Sequence, residues 1–281
     1  MKKDLTLADE TFDEHFTNVY HLILEGGLKT FSYAMLDTRV NKCLFFQRYV
    51  IGDFSEEIAL EKIEEILSRD TLLDKPFKEA AFLYKGTTYA LIPDEFFSKE
   101  EAKNLYAVQN TLGEYDELHT YPVRAFGATL CYAVPSRLCV LLKRKLPHLH
   151  ILHESAVLLE GASHNLYEEE MVVLAEEDYL TCMIVHQKNI RFLNSFYFRA
   201  PGDVLYFLMG VCTSCQLDPA SVRLAVMGSF DKNAEVIKMI KSYFPHLRFL
   251  KPSSDIEYSY KFRELESHEM THLLNAFVCV S

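Results

Sequence analysis

No tryptophan occurs in the 281 residues, and basic residues are fewer than acidic ones, 29 against 40, for a formal net charge of -11. Without tryptophan, the 13% aromatic content is tyrosine and phenylalanine alone. Most of those rings fall in strand patterns, where they read as core. The shortage of cations opposes nucleic acid as a partner, because a phosphate backbone is held mainly through Lys and Arg. It opposes attachment to anionic lipid for the same reason. The Lys143-Arg144-Lys145 run ends a helical pattern, where cations complement the helix dipole.

No apolar run approaches the roughly 18 residues of a membrane span, so no membrane insertion is expected. The opening MKKDLTLADETFDEH has lysines but no apolar stretch after them, so no secretory leader is read and a cytoplasmic location is expected. Seven cysteines, an odd number lying mostly in apolar runs, read as reduced and buried. A Gly-x-Ser-x-Gly elbow, a Walker loop and a six-residue dinucleotide fingerprint are all missing. No low-complexity segment is present.

What is present is one pattern that occurs twice. Val19–Asp37 reads as an apolar run, a short break and a second apolar run, and Met171–Val185 repeats it. A third apolar run follows each pair, Cys43–Ile51 and Ile190–Phe198, and then Gly52-Asp53 and Gly202-Asp203 each open a helical pattern. The three strand patterns of the first half carry apolar residues on both faces, which predicts a sheet covered on both sides. Strands alternating with helices follow: Ala80–Tyr84 and Thr88–Ile92 as a strand pair, a helix from the Ser98/Glu101 capping box to Asn110, and a polar connection over Thr111–Tyr121. A strand over Ala128–Val134, a helix over Ser136–Leu146 and a strand over Leu149–His153 come next. The shorter second half ends in a helix over Leu265–Phe277. The class is α/β. The domains are expected at 1–165, with 1–18 as a loose arm, and at 166–281, parted near the polar Ser163–Glu170.

A three-strand meander, a helix and then strand–helix units, all occurring twice, resembles the actin-like ATPase fold. That fold joins two ribonuclease-H-like domains, each with a mixed five-stranded sheet flanked by helices. The chain is also similar to an uncharacterised bacterial family of unknown function assigned to that fold. The resemblance covers residues 19–278 as an order of elements. It implies phosphate-binding turns between the first two strands of each half, and an adenosine-contacting Gly-Gly turn in the second. In the first half the turn reads Glu25-Gly26-Gly27-Leu28-Lys29-Thr30, with Glu25 in the place of an Asp and two glycines that permit close approach. In the second it reads Ala175-Glu176-Glu177-Asp178, without glycine or hydroxyl and with three carboxylates that repel a polyphosphate. Gly228-Ser229-Phe230 stands at the adenosine turn with one glycine. Glu25, Gly26, Gly27, Thr30, Gly228 and Ser229 thus read as vestiges of a nucleotide site.

Three further patterns carry chemistry in principle. His268-Glu269-Met270-Thr271-His272 matches HExxH, which on a helix places two imidazoles on one face with Glu269 as base. Only nine residues follow it, and none supplies the third ligand, so His268, Glu269 and His272 are weak metal candidates. Cys212-Thr213-Ser214-Cys215 is a lone CxxC ending an apolar helix and reads as core. His148, His150 and His153 read as strand-edge histidines.

The reading is a non-catalytic actin-like module for protein–protein interaction or scaffolding, with a protein partner and no catalytic residue or cofactor. The alternative is a nucleotide-binding ATPase or kinase-like protein with atypical phosphate turns, using ATP and Mg. The third is a zinc hydrolase built on the HEMTH segment.

Overall fold

The computed structural model describes residues 3–165, 169–187, 189–252 and 256–279. The centre of the expected half boundary, 166–168, and positions 253–255 lie outside the described residues. Contacts divide the chain into two compact units. One is Met1–Val157 with Ser253–Glu264 and Leu273–Ser281; the other is Leu158–Pro252 with Leu265–His272. The chain therefore leaves the first unit within a helix and returns to it twice.

The first unit opens with β1 (Lys3–Ala8), then the meander β2 (Tyr20–Gly26), β3 (Thr30–Asp37) and β4 (Lys42–Val50). Helix α1 (Glu56–Arg69) leads to β5 (Glu79–Tyr84). Next come β6 (Tyr89–Pro93), α2 (Ala102–Ala107), β7 (Asp116–Val123) and β8 (Ala128–Pro135). Helix α3 (Ser136–Lys145), β9 (His150–His153) and α4 (Glu154–Asn165) close the run. The second unit carries β10 (Glu169–Ala175), β11 (Tyr179–His186), β12 (Asn189–Tyr197), α5 (Pro201–Cys215), β13 (Arg223–Gly228), α6 (Glu235–Tyr243) and β14 (Leu247–Phe249). The chain ends with β15 (Glu257–Tyr258) and α7 (Thr271–Cys279).

The duplication holds at the level of strand order. One sheet contains β4-β3-β2-β5-β9, the other is β12-β11-β10-β13-β14. In each, the meander strands are antiparallel and the last two strands run parallel to the first. The two meander hairpins are closed alike, by Gly27 N–H to Thr30 O at 3.3 Å and by Glu176 N–H to Tyr179 O at 2.9 Å. Strands β2 and β10 are buried on both faces, as the continuous apolar runs predict. Strand β12 is an edge and half-exposed along its length. In the second unit, Met171, Val173 and Ala175 of β10 pack with Val204, Leu208 and Cys212 of α5 and Ile237 and Ile240 of α6. Each such aliphatic side chain contributes about 1.5–3 kcal/mol by leaving water.

Several expectations are corrected. The first sheet has seven strands, not five, because β1 and β15 both pair with β4. Residues 3–8 are therefore a strand and not a loose arm. Leu7 is buried opposite Phe46, and the Asp9 carboxylate beyond it takes the Lys42 ammonium at 2.9 Å. The expected pairing of Ala80–Tyr84 with Thr88–Ile92 does not form: β5 joins the large sheet, and β6 joins a separate antiparallel sheet ordered β6-β8-β7. That small sheet has its own core of Ala90, Ile92, Tyr106, Cys131 and Ala133. Among the described residues the second unit has no counterpart to this insertion, which accounts for the unequal halves. The polar Thr111–Tyr121 connection contains most of β7. The helix expected from Ser98 to Asn110 is only Ala102–Ala107, although the Glu101 N–H does reach Ser98 Oγ at 3.2 Å. Helix α7 starts at Thr271, six residues later than expected.

Candidate functional site

In open α/β sheets, ligands gather beyond the carboxyl ends of parallel strands. In the first unit those ends belong to β2, β5 and β9, where register sets Gly26 beside Tyr84 and Tyr84 beside His153. Glu25 lies inside β2, not in the turn, and points into the fold. It is buried, and its Oε1 accepts the Ser32 hydroxyl at 2.6 Å. Lys85, next after β5, brings its ammonium to 3.5 Å from the same oxygen, with both side chains about nine-tenths buried. The lysine thus holds the carboxylate that the resemblance sets in the place of an Asp. Gly27 lies so close to Lys85 that a Cβ there would meet the lysine's backbone oxygen at 3.2 Å. Thr30 gives its carbonyl to the hairpin.

Beside this cluster lie His153, Glu154 and Ser155, none with measurable exposure. Glu154 Oε1 accepts the Gly86 N–H at 3.3 Å, and His153 Nδ1 accepts the Ser155 N–H at 3.1 Å. The rings of Tyr84, Tyr89 and Tyr132 enclose the imidazole, with centroids 5.2–6.1 Å away. Burial pushes His153 from 6.5 down to about 3, so it is neutral in the fold. His148 and His150 are exposed, as strand-edge histidines are, but His153 is core. The depressed value has a consequence for stability. The unfolded chain binds a proton at this position below 6.5 and the folded chain does not, so the contribution is whole above 6.5 and shrinks as pH falls towards 3. His153 alone should remove about 2 kcal/mol between pH 6.5 and roughly pH 5. Urea melts of the wild type and His153→Gln at these two pH values check this: the variant should lose less on acidification. An equal loss in both chains contradicts the assignment.

In the second unit the corresponding ends are Ala175 and Gly228, paired in register. Gly228 has φ +95°, and a Cβ on it would stand 2.1 Å from the Ala175 carbonyl oxygen. That oxygen accepts the Ser229 N–H at 2.8 Å, and the Gly228 N–H donates to His268 O at 2.9 Å. The imidazole of His268 completes the seal. Its Nε2 lies 2.6 Å from the Phe230 carbonyl, which can only accept, so Nε2 carries the proton. The ring also packs on Phe249 at 4.5 Å. Glu176 is buried beside His272, Oε1 to Nε2 3.9 Å, while Glu177 is exposed.

The HEMTH segment therefore does not form a zinc helix. His268 and Glu269 sit in the turn before α7, and only Thr271 and His272 belong to it. The i, i+4 geometry that would bring both imidazoles to one ion is lost, and His268 serves the Gly228 turn. Cys212 and Cys215 lie in the core against β10–β13, and burial raises both thiols, Cys212 to about 11. Sequence reading missed Lys85 and the sealing role of His268. Lys85 sits in no motif, and the HExxH match that contains His268 points to a metal rather than to the strand end it reaches.

Solved structures share this fold. A protein from Bacteroides thetaiotaomicron, described as having an actin-like ATPase fold and unknown function, matches at TM-score 0.78 and 15% identity, over 94% of this chain and 98% of the other. A PilM-PilN type IV pilus biogenesis complex matches at TM-score 0.59 and 11% identity, over 94% and 99%. The ethanolamine utilization protein EutJ from Carboxydothermus hydrogenoformans matches at TM-score 0.50 and 8% identity, over 91% and 88%. At these identities the likeness establishes the actin-like ATPase fold and nothing more. A search of curated proteins returns no match. Among the described residues no helix is long and apolar enough to cross a membrane. Residues 9–247 match a family described as Protein of unknown function (DUF3822), and the chain belongs to that family.

Proposed function

We propose that this chain is a non-catalytic actin-like module that works by binding another protein. The observation that carries the reading is the Gly228 turn. Its two successive N–H groups, at Gly228 and Ser229, are occupied by His268 O and Ala175 O. Backbone donors already bonded inside the protein do not cradle a ligand without first being broken free. The Glu25 cluster supports the same reading, because Lys85 supplies internally the positive charge that a metal would bring. Protein binding is supported by the aromatic surface of the second unit. Phe196 of β12 stacks on Phe207 of α5 at 4.8 Å, and Tyr206, 73% exposed, meets Phe207 at 5.6 Å. Tyrosine and phenylalanine are the residues that protein interfaces concentrate. The similar PilM-PilN structure is, by its description, a complex.

Melting the protein with and without saturating Mg-ATP tests the reading. A ligand at 100 times its dissociation constant adds about 2.7 kcal/mol. In a chain of this size that raises the melting point by roughly 5–10 °C. The expected result is no shift; a rise of that size overturns the reading in favour of a nucleotide-binding protein.

A further inference from the structure

The small sheet inserted in the first unit carries a group that no nucleotide or partner reading uses. Glu117 and His119 alternate along β7 and so share a face. Cys139 of α3 meets them there, and one ligand atom from each of the three lies within 4.8 Å of the others. His119 Nε2 is 3.6 Å from Cys139 Sγ and 3.6 Å from Glu117 Oε2. Those separations are those of a tetrahedral zinc site. Bonds of about 2.3 Å to sulfur and about 2.05 Å to nitrogen, at the tetrahedral angle, set the two atoms about 3.6 Å apart; nitrogen and carboxylate oxygen come to about 3.4 Å. The imidazole is held in place by stacking on Tyr132, its cross-strand neighbour, at 5.7 Å and 14°. The donor set of thiolate, imidazole and carboxylate suits zinc and not magnesium or calcium. We propose that Glu117, His119 and Cys139 form a binding site for one zinc-class divalent cation, with a fourth position open to water.

Glu117 and His119 are partly exposed and give the ion a way in, while Cys139 is buried at the base. Binding forms a metal–sulfur bond and breaks the Cys139 S–H bond, and the proton passes to solvent. Lys143 approaches the same Glu117 oxygen at 3.7 Å, but its side chain is 48% exposed. An exposed pair of that kind contributes only about 0–1 kcal/mol, so the ammonium gives way to the cation. The site is separate from the HEMTH segment.

The 281-residue protein, treated with a chelator, is titrated with Zn2+ by calorimetry and with Co2+ by absorption. One equivalent of Zn2+ is expected, and Co2+ should show the charge-transfer band of a thiolate ligand. Cys139→Ser should lose that band while circular dichroism shows the fold intact. His119→Gln, at a partly exposed strand position, should weaken zinc binding by more than the roughly 10–100-fold that loss of an outer-shell partner causes. Lys143→Met, which removes the competing ammonium, should bind at least as tightly as the wild type. Absence of the thiolate band in the wild type, or binding unchanged in both Cys139→Ser and His119→Gln, overturns the proposal. If Cys139→Ser does not fold, the His119→Gln and Lys143→Met titrations decide it.

Discussion

Gly228→Ala should lower stability by about 4 kcal/mol or more, one of the two largest effects expected in this chain. Two penalties combine. An alanine at φ +95° carries backbone strain of about 1–3 kcal/mol. Its Cβ would also stand 2.1 Å from the Ala175 carbonyl oxygen, which cannot retreat without breaking its 2.8 Å bond to the Ser229 N–H. Either β13 separates from β10 at its end or the turn leaves His268. The melting point should fall by roughly 10 °C or more. Gly202→Ala is the control. Gly202 lies in α5, where an added Cβ meets nothing within 4 Å, so its change should be neutral or favourable by up to about 1 kcal/mol. If the two variants melt together, the close approach of β10 and β13 is wrong.

Arg248→Met should cost about 3–5 kcal/mol. Glu170, in β10, has no solvent exposure, and the Arg248 guanidinium clasps its carboxylate with Nε at 2.7 Å and an Nη at 2.9 Å. Removing the arginine leaves a buried charge without that fork. Arg248→Lys should be intermediate, because an ammonium supplies charge but not the paired geometry. Replacing both residues by Met should recover most of the loss, since two apolar side chains leave no charge to bury. Urea melts of the four chains measure this. A double variant as weak as Arg248→Met shows that the loss came from packing and not from the stranded carboxylate.

The doubled meander was legible because β2, β3, β10 and β11 are buried on both faces and so read as unbroken apolar runs. Strand β5 was legible as the apolar run Ala80–Tyr84, and helices α1, α3 and α5 as the helical patterns after Gly52-Asp53, at Ser136–Leu146 and after Gly202-Asp203. Strand β7 was not: Asp-Glu-Leu-His-Thr-Tyr-Pro-Val is mostly half-exposed and contains a proline, so it lacks the apolar alternation that marks a strand. In strand β1, Leu7 is the buried residue among those whose burial is described, and its pairing depends on the edge of β4, 34 or more residues away. The chemistry at both strand ends depends on long-range partners. Lys85 reaches Glu25, and His268 reaches Phe230 across 38 positions, links that no local pattern encodes. Helix α7 starts directly after this turn, where the His268 carbonyl accepts the Gly228 N–H at 2.9 Å and the Thr271 N–H at 3.4 Å.

The prediction for Mg-ATP is tested most directly at the turn itself, by amide hydrogen exchange resolved at Gly228 and Ser229 with and without the nucleotide. Bonded to His268 O and Ala175 O, both amides should exchange slowly, at one rate in the two conditions. Fast exchange that slows when Mg-ATP is added would mean the turn stands open and receives the nucleotide, and the account of a turn closed by its own chain would be wrong.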